Sequence, residues 1–131
     1  MMQIKRVYDK PEKGDGFRVL VDRLWPRGLT KEKAHVDLWM KEIAPSDELR
    51  KWFHHEERNW SEFEKKYKTE LAKKKELLGE LKKLQREHGT VTLLYGSKDE
   101  EQNQAVVLAQ VIAESDLTLR RGSSWETRRQ G

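Results

Sequence analysis

The sequence predicts a small single-domain α/β protein, a three-layer fold with a mainly parallel sheet flanked by helices. Short runs rich in β-branched and aliphatic residues, Phe17 to Val21 and Thr90 to Tyr95, have the length and composition of buried strands. Long segments with apolar residues at helical spacing lie between them, and strands joined through helical crossovers pair in parallel. No linker of Pro, Gly and Ser and no internal repeat divides the 131 residues. The expected organisation is an α/β domain over residues 1–113 and a polar C-terminal tail over 114–131.

Each element has a local reason. Ile4 to Asp9 reads as the first strand, Lys10 to Gly16 as a polar turn, and Phe17 to Asp22 as the second strand. Thr30 to Lys33 opens a short helical turn, and Val36 to Met40 alternates weakly enough for a short third strand, which Pro45 closes off. Ser46 is a good N-cap for an amphipathic helix in which Leu49, Trp52 and Phe53 share a face and His54 and His55 lie near the end. Ser61 to Glu64 has the form of a capping box, after which Phe63, Tyr67 and Leu71 recur every four residues. Leu77, Leu78, Leu81 and Leu84 belong to a further helix, with the break placed at Lys73 to Lys75 or at Gly79, and Gly89 closes it. Thr90 to Tyr95 is the clearest strand, and Asp99 with Gln102 predicts a capped helix reaching about Ala113, apolar on most sides and therefore buried.

Composition narrows the function classes. With no cysteine, thiol catalysis, disulfides and thiolate metal sites are excluded together. The first residues lack the apolar run of a signal peptide, and no segment reaches the ~20 apolar residues of a membrane span, so a cytoplasmic protein without membrane contact is expected. Lys and Arg number 27 against 23 Asp and Glu, but the two signs interleave, which makes the net charge of +4 a weak pointer to nucleic acid. No Walker lysine pattern and no G-x-G-x-x-G occurs, and no cofactor is called for.

Asp22-Arg23-Leu24-Trp25-Pro26-Arg27-Gly28 is the stretch that points to a site. Pro26 has no N–H and Gly28 tolerates positive φ, so the chain leaves the sheet there and places two guanidinium groups and an indole at the carboxyl end of a strand. Arg23 and Arg27 can fork onto a phosphate or carboxylate. The alternative is an internal ion pair with Asp22, Asp9 or Asp37. Trp25 can stack a ligand or fill a core. Tyr8, at the end of the first strand, falls beside the same loop if the two strands pair. At the turn Tyr95-Gly96-Ser97-Lys98-Asp99, the cap role of Asp99 leaves Lys98 and Asn103 to face a ligand.

Ligand binding is therefore expected at Tyr8, Arg23, Trp25, Arg27, Lys98 and Asn103, in a cleft for a small anionic or nucleotide-like ligand. A hydrolase or transferase using that cleft is the second reading, with His54 or Asp22 as acid/base and the arginines stabilising negative charge. A nucleic-acid-binding protein is the third. His54-His55-Glu56-Glu57 is not a metal motif, because adjacent helical residues point about 100° apart and cannot converge on one ion.

With these motifs placed, the chain resembles the YeaO-like family, domain of unknown function 488. The resemblance rests on Lys5-Arg6-Val7-Tyr8-Asp9, on the Asp22 to Gly28 string, on Trp39 with Ala44-Pro45-Ser46, on Leu49-Arg50-Lys51-Trp52-Phe53-His54, and on Leu93-Leu94-Tyr95 with Lys98 to Asn103. It implies a compact cytoplasmic α/β domain and names no reaction. Chains with these motifs commonly read Asn-His where this one has Asn103-Gln104.

Overall fold

The computed structural model describes residues 1–55 and 59–114; the side chains of His54 and His55 lie outside that description. Strands β1 (Met2–Arg6), β2 (Phe17–Leu20), β3 (Leu38–Trp39) and β4 (Val91–Tyr95) form one sheet in the order β1-β4-β2-β3, every pair parallel. β4 is central and buried along its whole length, as a strand covered on both faces must be. Its register places Val91 beside Met2 on one side and Phe17 on the other.

Alternation along the strands divides the core. Val19, Val21, Leu93 and Tyr95 face the larger helices, where Phe63, Tyr67 and Leu71 of α3 (Trp60–Ala72), Leu81 of α4 (Lys75–His88), and Leu108 and Ile112 of α5 (104–114) close over them. Val7, Leu20 and Leu94 face the other way, onto Ala34 of α1 (Lys31–Ala34) and the rings of Trp25 and Trp39. This is the three-layer arrangement expected, with one layer thin. No helix among the described residues is long and apolar enough to cross a membrane.

A polar network sits beneath the thin layer. Arg18, inside the apolar run that predicts β2, is 4% exposed; its guanidinium pairs with Asp15 and donates to the carbonyls of His35 and Ala34, both at 2.9 Å. Lys5 completes it, with its Nζ 2.8 Å from Glu12 and 3.2 Å from Asp15. Burial acts to raise the Asp15 carboxyl, but the Glu12 N–H, Lys5 and Arg18 outweigh it and hold it below the ordinary carboxylate range. The predicted polar turn is thus pinned to the sheet from inside. Gly16, at φ 64°, closes the turn where an added Cβ would stand 2.3 Å from the Thr90 carbonyl oxygen.

Several boundaries differ from expectation for identifiable reasons. β1 begins at Met2 and ends at Arg6 rather than Asp9, because the Asp9 N–H turns back to the Arg6 carbonyl at 3.1 Å. Ser46 caps α2 (Asp47–His55) as predicted, its Oγ accepting from the Leu49 N–H at 3.1 Å. α3, however, is capped by Asn59, whose Oδ1 accepts from the Glu62 N–H at 3.1 Å, so the Ser61 capping box does not form. The break before α4 falls at Lys73 and Lys74, and Gly79 lies inside α4. Asp99 caps only an isolated turn, its Oδ1 accepting from Glu101 and Gln102 N–H at 3.0 and 2.9 Å. α5 starts a turn later, with Asn103 Oδ1 accepting from the Val106 N–H at 3.2 Å.

Candidate functional site

The chain leaves β2 through Val21, whose N–H still donates to the Leu94 carbonyl at 3.0 Å. The Asp22 carbonyl accepts from Trp39 Nε1 at 2.7 Å, and Trp25 Nε1 donates to Leu29 at 2.6 Å, closing the loop on itself. The two indoles meet edge to face at 5.4 Å and 67°, so Trp25 fills the minor core. Gly28 supplies the positive φ, 79°, that the turn requires.

Arg23 is tied inside the protein, though to other groups than the aspartates expected. Neither Asp9, Asp22 nor Asp37 is its partner. Its Nε donates to the Pro45 carbonyl and its Nη2 to the Ala44 carbonyl, each at 3.1 Å, and its Nη1 stands 3.9 Å from the exposed Glu42 carboxylate. Asp37 is taken instead by the Arg18 N–H at 2.8 Å. Around Ala44 and Pro45 the backbone is held by side chains throughout. Tyr67 donates to the Ile43 carbonyl at 2.7 Å, Lys74 to Ala44 at 3.1 Å, and the Ser46 N–H and hydroxyl donate to Glu70 at 2.9 and 2.6 Å. Burial pulls the Lys74 ammonium below its ordinary pKa and Arg23 adds to this, with Glu70 opposing. The guanidinium fork is therefore a tie on the segment preceding α2.

That segment is one wall of a cleft of about 430 Å³ at the carboxyl ends of β2 and β4, the usual ligand position for a parallel sheet. Asp22, Arg23 and Leu24 line it from the first loop, Arg50 and Phe53 from α2, and Phe63 from α3. Ser97, Lys98, Gln102, Asn103 and Gln104 contribute from the turn after β4 and the start of α5. The floor is aromatic: Phe53 and Phe63 lie 4.6 Å apart and tilted, with Trp60 stacked 5.4 Å from Phe63.

Two groups in this cleft have unusual chemistry. Asp22 accepts from the Gly96 N–H at 2.7 Å through Oδ2 and from the Gln104 side-chain amide through Oδ1. Among the described residues no cation is hydrogen-bonded to this carboxylate. Burial pushes the carboxyl up to about 6 despite the Gly96 hydrogen bond. Arg50 pairs at 3.2 Å with Asp47 one turn earlier through Nη2, while its Nε is buried without an acceptor among the described residues. Buried donors are rarely left so, because each unmade bond costs about 1–3 kcal/mol.

Of the expected site residues, the fold brings Asp22, Arg23, Lys98 and Asn103 to the cleft, Asn103 being occupied as the α5 cap, its Nδ2 also donating to Asp99 at 2.9 Å. Tyr8, Trp25 and Arg27 do not line it. Tyr8 donates to the Arg27 carbonyl at 3.0 Å and carries the Arg6 guanidinium 5.2 Å from its ring centre, while Arg27 is exposed. The loop from Asp22 to Gly28 thus splits, its first half reaching the cleft and its second half the minor core and solvent. The His54 side chain lies outside the described residues. Arg50, Phe53, Phe63 and Gln104 were not expected here. For Arg50 a signal existed: three residues before Phe53 on a helix, it must share that face. Among the described residues no group of His, Asp or Glu converges as metal ligands would.

The chain is similar to proteins that are themselves uncharacterised. It is 48% identical over 111 residues to YeaO of Escherichia coli, covering 82% of this chain and 93% of that protein. It is 40% identical over 111 residues to Rv3073c of Mycobacterium tuberculosis, covering 85% and 92% respectively. No solved structure matches it. Residues 1–125 match a family model. The chain belongs to that family, DUF488-N3i, the inactive DUF488-N3 subclade.

Proposed function

We propose that this protein binds a small anionic ligand, nucleotide-like ligands included, in the cleft between the Asp22–Leu24 segment, α2 and the start of α5. The observation that carries the reading is Arg50, a guanidinium on the cleft wall whose buried Nε lacks an acceptor. The Arg50 side chain is 38% exposed, and an oxyanion in the cleft meets that guanidinium through a charge-assisted bond, stronger than a neutral one. Lys98, from the turn after β4, adds a second cation to the lining. Asp22 opposes an anion only when ionised, and with its pKa near 6 a bound anion favours its protonated form. The name of the subclade, inactive, supports binding without turnover.

The test is a titration with inorganic phosphate followed by amide chemical shifts. Shifts at Arg50, Lys98 and Gln104 that saturate, and that vanish in Arg50→Gln with the melting temperature unchanged, are the expected result. Shifts spread evenly over surface lysines would refute it.

Asp22 favours one further reading, a hydrolase or transferase in which its carboxyl donates a proton. A carboxyl raised towards neutrality inside a cleft is a common mark of a general acid. That reading expects a pH–rate profile falling as pH rises through about 6, abolished by Asp22→Asn. The mixed-sign surface gives the nucleic-acid reading no comparable support.

A further inference from the structure

The cleft is larger and more apolar than an inorganic anion requires. Its floor consists of the Phe53 and Phe63 rings, and Leu24, 60% exposed, stands at its rim as one of few large apolar side chains left in water among the described residues. The cationic groups, Arg50 and Lys98, belong to the same cavity. Arg23 lines it too, but its fork is occupied by the Ala44 and Pro45 carbonyls and its remaining nitrogen faces Glu42. The arrangement has two unlike ends: a flat apolar seat, and a cation with an unmet donor. At about 430 Å³ the space is within the range of small organic ligands, about 300–1,000 Å³. A bare phosphate would meet Arg50 and leave Phe53 and Leu24 against water.

We propose that the ligand is an aromatic acid, its ring seated on Phe53 and Phe63 beneath Leu24 and its carboxylate or phosphate directed to Arg50 and Lys98. This rests on the anionic reading above and adds the apolar half of the ligand. A ring on this floor meets aromatic side chains already packed obliquely at 4.6 Å, so its offset or edge contacts are prepared before it enters. Leu24 gains a partner for surface it otherwise exposes, and the partly exposed Arg50 guanidinium gains an anion.

The experiment uses the full chain and four probes: phenyl phosphate, benzoate, inorganic phosphate and benzyl alcohol, each titrated against amide shifts of the cleft residues. Phenyl phosphate is expected to bind at least about tenfold more tightly than inorganic phosphate, since burying a ring adds apolar area that phosphate lacks. Benzoate is expected to exceed benzyl alcohol by a similar factor. Leu24→Ala weakens phenyl phosphate severalfold and leaves inorganic phosphate as it was, and Arg50→Gln weakens both. If Arg50→Gln does not fold, Lys98→Ala, at an exposed position, takes its place with the same expectation. Inorganic phosphate binding as tightly as phenyl phosphate overturns the aromatic half and leaves the anionic reading standing. Benzyl alcohol matching benzoate overturns the acid, and with it the anionic reading. No cleft shift with any probe at millimolar concentration overturns both.

Discussion

Asp22 makes a stability prediction whose sign is fixed by the fold. Its carboxyl titrates near 6 in the folded chain against an ordinary 3.8. Below 3.8 both folded and unfolded chains hold the proton; between the two values the folded chain keeps a proton that the unfolded chain releases, so stability falls as pH rises, and above about 6 the full cost is present. At about 1.36 kcal/mol per pH unit the cost is at most about 3 kcal/mol. Asp22→Asn removes it. The asparagine Oδ1 still accepts from the Gly96 N–H, and Gln104 turns its amide to accept from the new Nδ2. The variant is expected to exceed the parent by about 1 kcal/mol at pH 4.5 and by about 3 kcal/mol at pH 7.5. Urea unfolding of both proteins at both pH values measures this, and the difference cancels the other titrating groups. A gain that is the same at both pH values, or that shrinks as pH rises, would refute the assignment of a carboxyl raised by desolvation.

Other substitutions separate ties from bystanders. Arg23→Ala leaves the Pro45 carbonyl without its donor and should cost about 1–3 kcal/mol, while Arg27→Ala at its exposed position should stay within about 0.5 kcal/mol; paired thermal melts decide, and equal losses would sink the distinction. Asn103→Ala removes the α5 cap and should cost about 1 kcal/mol, read by urea unfolding, whereas Asp99→Ala should cost less because its turn stands outside the helix. Gln104→His sets an imidazole against the Asp22 carboxyl. In that variant the carboxyl is expected to titrate below 6 and the histidine above its ordinary value of about 6.5, which carboxyl and imidazole NMR titrations record; an Asp22 value left near 6 would show that the two side chains do not meet.

The fold was legible because its signals are local and periodic. β4 declares itself in Val91 to Tyr95, and the stripe Phe63, Tyr67, Leu71 fixes the buried face of α3. The thresholds between elements were less so, because a cap is chosen by competition between neighbours. Asn59 and Ser61 both suit an N-cap, and Asn103 and Asp99 both do; in each case the residue from which the helical hydrogen bonds actually begin is settled by how the helix packs, which no local pattern contains. Arg18 was invisible for the same reason: within an apolar run it reads as an outward-facing residue, and only Asp15, brought back by the turn at Gly16, gives it a reason to be inside.

The site divides along a physical line. Which end of the sheet carries the cleft follows from strand direction alone, and Asp22, Arg23 and Lys98 line it there. What those groups do depends on partners distant in sequence. Arg23 meets carbonyls 21 and 22 residues away, and Asp22 meets Gly96 and Gln104 from 74 and 82 residues away. A guanidinium offered to a ligand and one locked onto a loop are the same letter in the chain. Their difference is the number of donors already taken: Arg23 has its Nε and Nη2 committed, whereas Arg50 retains a buried Nε with none. The centre of gravity of the proposed site therefore moves from the arginine-rich loop, where the sequence concentrates its charge, to α2, where the unmet hydrogen bond lies.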